Sequence, residues 1–340
     1  MNFQNLQKIE TADRYLDFAF SAAKKRAEEL RDSRARSKIN KSKNIESERI
    51  TIAIKVLRGH LVAILNAFPI FEELPAFYKE LVRITIRYPD LKKSLGAVGW
   101  AISKCDFFFR DYNHKILRTR DITKINEYRR EFYGRISSVM KQVKDDLVFL
   151  EQARQIMREY PHIKTSLKTI CIFGFPNVGK STLLAKITDA TPEIKNYAFT
   201  TTSLNLGTLK HGIYKYQFID TPGTLDRFYK MNLIEQQAYL ALKHCSDGVV
   251  YVFDLTEGYE FEKQYQLFEN LLRTRPDVPI FVYLSKSDIV GKSAVEMFTS
   301  EFRNKYPQIN EPFTDKDLLV AKIVKAIKPA VVKGVFFSRD

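Results

Sequence analysis

The sequence predicts an all-α helical bundle followed by an α/β domain with a mostly parallel sheet and helices on both faces. Three observations carry this expectation. Apolar residues recur every three or four positions through the first 160 residues. After Pro161, short β-branched runs alternate with helical stretches. The charge divides at the same place: residues 1–168 hold 34 basic and 21 acidic residues, and residues 169–340 hold 21 and 19. A chain of 340 residues also exceeds what one hydrophobic core usually serves. The expected domains are therefore a basic helical bundle over 1–163 and an α/β domain over 164–340.

The helical pattern runs through Phe18–Leu30, Ile50–Ala67, Phe77–Ile86, Leu91–Tyr112 and the long stretch Ile125–Tyr160. Pro69, Pro75, Pro89 and Pro161 mark its breaks. Between Arg31 and Asn44 the pattern lapses into RDSRARSKINKSKN, either a loop or a solvated helix turn. In the second half the expected strands are Thr169–Phe173, Tyr216–Ile219, Val249–Phe253 and Ile280–Leu284. Helices are expected at Lys180–Ile187, Leu233–His244 and Glu260–Arg273, and His211-Gly212 reads as a hairpin tip adding one antiparallel strand.

Composition excludes several classes. Hydrophobic residues are 45% and charged residues 28%, as in an ordinary globular chain. No apolar run approaches the roughly 20 residues of a membrane span, and the N-terminus lacks the apolar core of a secretory signal. Cys105, Cys171 and Cys245 match no metal or redox spacing and are expected to be inert thiols. His60, His114 and His162 are isolated, and Trp100 is expected in the core.

Gly174–Ser181 (GFPNVGKS) satisfies the P-loop pattern between a strand and a helix. Its glycines let backbone N–H groups converge on phosphates, and the helix N-terminus adds its dipole. Asn177, Val178, Gly179, Lys180, Ser181 and Thr182 are thus the phosphate-binding candidates. Lys180 spans the outer phosphates, and Ser181 offers a hydroxyl to Mg²⁺. In Asp220-Thr221-Pro222-Gly223, Asp220 can hold Mg²⁺ through water and Gly223 can sense the γ-phosphate. Thr200 and Thr201 lie where a GTPase needs a threonine closing over Mg²⁺. In Ser285-Lys286-Ser287-Asp288, the Asp288 carboxylate matches the two donors of the guanine edge, which adenine lacks. The stem of Lys286 covers the base. A P-loop ATPase is therefore disfavoured, and GTP or GDP is the expected ligand.

The segments GFPNVGKST, NYAFTTTSLNLG, DTPGTLDRF and EQQAYLALKHCSDGVVYVFD resemble the Nog branch of the Obg-related GTPases. So do FEELPAFYKELV and DLKKSLGAVGWAISK in the first half. The resemblance implies a P-loop GTPase domain after the helical domain, and a factor of large ribosomal subunit assembly. It also implies a short, archaeal-type member, cytoplasmic in an archaeon or nucleolar in a eukaryote, and a monomer off the ribosome. It makes Thr201 the switch residue, with Thr200 the alternative. Thr201 and Gly223 become the catalytic candidates, and Ser181 and Thr201 the metal-ligating ones. Two departures stand out. Ser285 replaces the Asn that ties the base loop to the P-loop, and Asn310–Thr314 lacks the usual last motif.

Many GTPases orient water with a Gln after this Gly, where the chain has Thr224. A slow intrinsic rate is expected, with help from K⁺ at Asn177 or from the assembly partner. For Asn177 the alternative is simple bracing of the loop. Lys24, Lys25, Arg26, Arg31, Arg34, Arg36, Lys38, Lys41 and Lys43 crowd one region of the first half. Such a surface neutralises phosphates, so the helical domain is expected to dock on ribosomal RNA and precursor particles. The rival reading is an RNA-binding scaffold that holds nucleotide and barely hydrolyses it. A membrane role finds no lipidation motif to support it.

Overall fold

The computed structural model describes residues 3, 6–31, 37–161, 163, 167–188, 193–196, 203–221, 233–256, 258 and 260–328. They form two compact units, one of residues 3–74 with 85–158, the other of 75–84 with the described residues from 159 onward.

The chain begins with six α-helices: α1 (Ala12–Glu29), α2 (Lys38–Ala67), α3 (Ala76–Thr85), α4 (Tyr88–Arg118), α5 (Ile122–Gln142) and α6 (Lys144–Arg158). All but α3 belong to the first unit. Side chains cap the starts: Thr11 accepts from the Arg14 amide, Ser37 from Asn40 and Asp121 from Thr123. Pro89 sits in the first turn of α4, where its missing N–H costs nothing. Ser37 starts α2, so the described part of the basic lapse, from Lys38, is helical. The expected helical stretch 125–160 divides at Val143, because Asp145 and Asp146 favour a new helix start.

Three expectations of this half change. Trp100 is not core but 38% exposed. The buried stripe of α4 runs through Leu91, Val98, Ala101 and Cys105, and at 3.6 residues per turn position 100 lies about 200° round the helix from Val98. Among the described helices, the segment containing α2 is long and apolar enough to cross a membrane by length and composition. One stripe of it, including Ile50, Leu57 and Leu61, is buried in the bundle. The basic crowd is partly spent: Arg26 pairs with Glu29 and Glu48, and Lys43 donates to the Leu117 carbonyl at 2.7 Å. Arg34 and Arg36 lie outside the described residues, as does His162.

The second unit holds a six-stranded sheet of β1 (Lys168–Phe173), β2 (Glu193–Asn196), β3 (Ser203–His211), β4 (Tyr214–Asp220), β5 (Gly248–Asp254) and β6 (Ile280–Ser285). The order is β2-β3-β4-β1-β5-β6. β1 pairs parallel with β4 and β5, and β5 with β6, while β2–β3 and β3–β4 are antiparallel. Gly212 turns the β3–β4 hairpin with φ 58°. β2 follows no apolar alternation and was not legible in the sequence.

Among the described residues five further helices belong to this unit: α7 (Lys180–Ile187), α8 (Leu233–Cys245), α9 (Phe261–Thr274), α10 (Lys292–Lys305) and α11 (Lys316–Ala326). Alternate side chains of the central strands feed two cores. Ile170, Ile172, Val250 and Val252 meet Leu183 and Leu184 of α7 and Leu319 and Ile323 of α11. On β5, Tyr251 packs edge-on and Phe253 tilted against Phe268 of α9, and Phe253 also meets Phe298 and Phe302 of α10. Every residue of β5 is buried, as a strand covered on both faces requires. Helix α3 joins this unit through Tyr78, whose hydroxyl donates to the Pro161 carbonyl and accepts from the Ile163 amide. The three thiols are free, and burial pushes Cys105 and Cys245 up to about 12.

Candidate nucleotide-binding site

β1 is the strand at which the sheet order reverses, with β4 on one side and β5 on the other. Crevices at the carboxyl ends of such strands are where parallel sheets bind ligands. Gly174–Gly179 occupies that end and delivers the chain into α7. The loop's shape explains its residues. Gly174 has φ +150°, and a Cβ there would stand 2.6 Å from the Val252 carbonyl oxygen. Asn177 takes a left-handed φ of 59°, a conformation asparagine tolerates better than most residues. Gly179 has φ 94° and opens α7. Val178 is fully buried under the loop.

Lys180 is 8% exposed, and its ammonium donates to the Phe175 carbonyl at 2.6 Å. Burial holds it below the ordinary lysine range, although Asp220 opposes that shift. A buried cation so placed gains most from an anion within reach.

The Ser181 hydroxyl donates to Asp220 Oδ2 at 2.5 Å, joining α7 to the end of β4. The Asn205 amide on β3 donates to the same oxygen at 3.1 Å. A hydroxyl and a carboxylate side by side suit Mg²⁺, which takes hard oxygen ligands. Asn205 lies in the segment NYAFTTTSLNLG, but its role was missed because it arises only through pairing with Asp220 across the sheet. The Thr221 hydroxyl donates to the Ile172 carbonyl at 2.8 Å and so locks the strand end. Thr200, Thr201, Pro222, Gly223 and Thr224 lie outside the described residues.

A cleft of about 290 Å³ beside the loop is lined by Asn177, Gly179, Thr182, Ser285, Lys286 and Asp288, among others. The structure therefore brings the phosphate loop and the predicted base-reading loop to one cavity. Asp288 is exposed at its wall. Ser285 donates to the Phe253 carbonyl at 2.9 Å. It makes no hydrogen bond to the P-loop among the described residues, and a Cβ built on Gly179 would lie 3.5 Å from the Ser285 Cβ.

Lys286 has a left-handed φ of 53°, a strained conformation for a long side chain. Its ammonium is held by Asp254 Oδ2 at 2.6 Å. Asp254 is 1% exposed, and its other oxygen accepts from the Thr256 amide and hydroxyl. Gln264 pins its backbone from both sides, donating to its carbonyl and accepting from its amide. Burial pushes the Asp254 carboxyl up, but the bonds from Lys286 and Thr256 outweigh it and hold the group below 3.8. Asp254 was also missed in the sequence; it ends a strand in YVFD, and nothing local marks it as a partner of Lys286. Phe313 bridges to Tyr283 beside β6, which places the divergent stretch 310–314 next to the base-reading loop. Asp315 then caps α11 through the Asp317 and Leu318 amides. Among the described residues no group of three His, Cys, Asp or Glu could hold a metal.

The family described as NOG1 N-terminal helical domain matches residues 3–164, and that described as 50S ribosome-binding GTPase matches residues 169–286. The uncharacterized protein MJ1408 of Methanocaldococcus jannaschii is 34% identical over 86% of this chain and 83% of its own length. Nucleolar GTP-binding protein 1 of Eremothecium gossypii is 30% identical over 85% of this chain, and that of Drosophila melanogaster likewise. The chain spans 45% and 44% of those two proteins. Among solved structures, Aquifex aeolicus Era bound to GDP and AlF4⁻ is 23% identical, covering 48% of this chain and 58% of its own at a TM-score of 0.40. With a helical domain of NOG1 type preceding a P-loop domain that brings phosphate and base loops together, the chain belongs to the NOG1-type family of GTP-binding GTPases.

Proposed function

We propose that this chain is a GTP-hydrolysing switch acting in large ribosomal subunit assembly, and that its helical domain, residues 1–163, docks it on ribosomal RNA. The observation that carries the nucleotide half is the single cleft shared by Gly179, Thr182, Lys286 and Asp288. The excess charge of the first half and the names of the nucleolar relatives support the RNA half. In this reading Lys180 and the α7 amides hold the phosphates, and Asp288 selects guanine. Ser181 and Thr201 would ligate Mg²⁺ and Asp220 would hold it through water, and the ion would neutralise phosphate charge. Thr201 and Gly223 close on the γ-phosphate and release it after hydrolysis. The site is cytoplasmic in an archaeal-type organism and nucleolar in a eukaryote.

Thr224 at the water-orienting position motivates slow intrinsic turnover and an external stimulus. Single-turnover hydrolysis with and without large-subunit precursor particles tests this. Stimulation supports the switch, whereas hydrolysis that stays negligible in both supports the nucleotide-holding scaffold. Asn177, at the P-loop position that resembles a potassium-ligating Asn, motivates a K⁺ role beside the phosphates. Equal turnover in potassium and sodium buffers removes it.

A further inference from the structure

Helix α4 buries one stripe and leaves the other to solvent along its whole length. The exposed stripe is basic. Lys92, Lys93, Lys104 and Arg118 are exposed there and have no hydrogen-bond or ion-pair partner among the described residues. The helix's own carboxylates are engaged: Asp90 with Arg87, Asp106 with Arg58, and Asp111 with Lys115. The stripe therefore presents cations and no free anion.

Two large aromatic residues stand among those cations. Trp100 is 38% exposed and Phe107 58%. They are two helical turns apart on the same face, about 10 Å at 1.5 Å per residue. A helical side chain leans over the turn before it. The residue four positions earlier is Gly96 for Trp100 and Ser103 for Phe107. Ser103 turns its hydroxyl back onto the Gly99 carbonyl at 3.2 Å. Cβ atoms built on Gly96 and Gly99 meet nothing within 4 Å. Glycines inside a helix cost stability relative to alanine, and nothing in the fold asks for these two. They leave the flank of the Trp100 ring open to a flat partner.

We infer that the solvent face of α4 binds unpaired RNA, with Trp100 and Phe107 stacking on bases and Lys92, Lys93, Lys104 and Arg118 contacting the flanking phosphates. This rests on the proposed RNA-docking role of the helical domain and assigns it a surface. Exposed rings interleaved with unpaired cations match the way unstacked bases are held. The basic crowd of α1 and α2 fits less well, because part of its charge is already paired.

The test uses the full chain and deproteinised large-subunit ribosomal RNA, titrated by filter binding at several salt concentrations. W100A/F107A lowers affinity at least tenfold and leaves the salt slope unchanged. K92A/K93A/K104A lowers the slope by about 2 to 3, at roughly 0.7–0.9 per lost phosphate contact. G96A/G99A raises the unfolding temperature yet weakens RNA binding, a combination that damage to the fold does not produce. If these variants bind like the unaltered chain while K24A/K25A/R31A loses binding, the α4 surface is overturned and RNA docking stands. If the unaltered chain shows no RNA affinity, both readings fall. If the α4 variants keep RNA affinity but lose binding to large-subunit particles, the face takes protein and the inference is overturned.

Discussion

Asp254→Asn tests how the base-reading loop is held. The substitution keeps the shape of a side chain that is 1% exposed and still accepts from Thr256. It turns an amide N–H₂ toward the Lys286 ammonium, which now lacks its acceptor at 2.6 Å. A hydrogen bond to a charged group contributes about 1.5–3 kcal/mol, and an exposed ion pair about 0–1. The Lys286 side chain is 33% exposed, so the lower end of the first range applies. A loss of about 1.5 kcal/mol corresponds to roughly tenfold in affinity. GTP and GDP should therefore both bind about tenfold more weakly, read by titration with a fluorescent guanine nucleotide. Turnover at saturating GTP should stay unchanged. The double variant D254N/K286A separates positioning from general damage. If Asp254 acts through Lys286, D254N adds less than twofold once Lys286 is alanine. Additive losses in the double variant, within about 0.3–0.5 kcal/mol, would refute the reasoning.

Other outcomes follow from the same geometry. Gly174→Ala places a methyl 2.6 Å from the Val252 carbonyl at φ +150°, so guanine-nucleotide binding should fall by about five- to 150-fold in the same titration, from about 1–3 kcal/mol of backbone strain. Asp288→Asn keeps one acceptor for the guanine N1–H but turns a donor toward the N2 amino group; losing one bond to a charged group, about 1.5–3 kcal/mol, should lower GTP affinity roughly ten- to a hundredfold, while xanthosine triphosphate, which offers an acceptor there, should bind better than GTP in competition. Glu151→Gln should lower the stability of the helical unit by about 1–3 kcal/mol in denaturant melts, because Arg154, its side chain 7% exposed, loses its carboxylate. Burial pushes Glu151 up, yet Arg154 and the Ile9 amide outweigh it and hold it below 4.5. Its contribution is thus present above pH 4.5 and lost as pH falls through the lowered value, so the variant should show a flatter acid limb.

The sequence made the catalytic unit legible where chemistry demands a contiguous pattern. The P-loop needs its residues in a row, and Lys180–Ile187 is helical over the bounds its periodicity predicts. Asp254 and Asn205 were illegible because their roles exist only through pairing across the sheet. Asp254 opposes Ser285 in the β5–β6 register, and Asn205 opposes Asp220 in β3–β4. Trp100 failed for another reason. Helical periodicity locates an apolar stripe, but a single tryptophan on the opposite face is assigned to the core by its hydrophobicity alone. Helix α3 shows the same limit at a larger scale, since its periodicity matches the bundle helices while Tyr78 anchors it to Pro161 and Ile163.

Ser285 bears on how the site divides its labour. Its hydroxyl bonds back to β5, and among the described residues it makes no hydrogen bond to the P-loop. Lys286 is likewise tied to β5, through Asp254. The base-reading loop thus hangs from the end of β5, while the phosphate loop hangs from β1. These two strands are direct neighbours, so their parallel pairing, from Ile170–Gly248 to Phe173–Tyr251, sets the distance between phosphate and base grips. A side-chain bond between the loops is then not required for both to meet one nucleotide. What such a bond supplies elsewhere is resistance to opening, and without it the base grip depends on one buried carboxylate. Under the proposed reading, guanine selection by Asp288 and tightness of binding are separable: the first follows from the edge chemistry of the base, the second from how firmly Asp254 keeps Lys286 in a backbone conformation it does not favour.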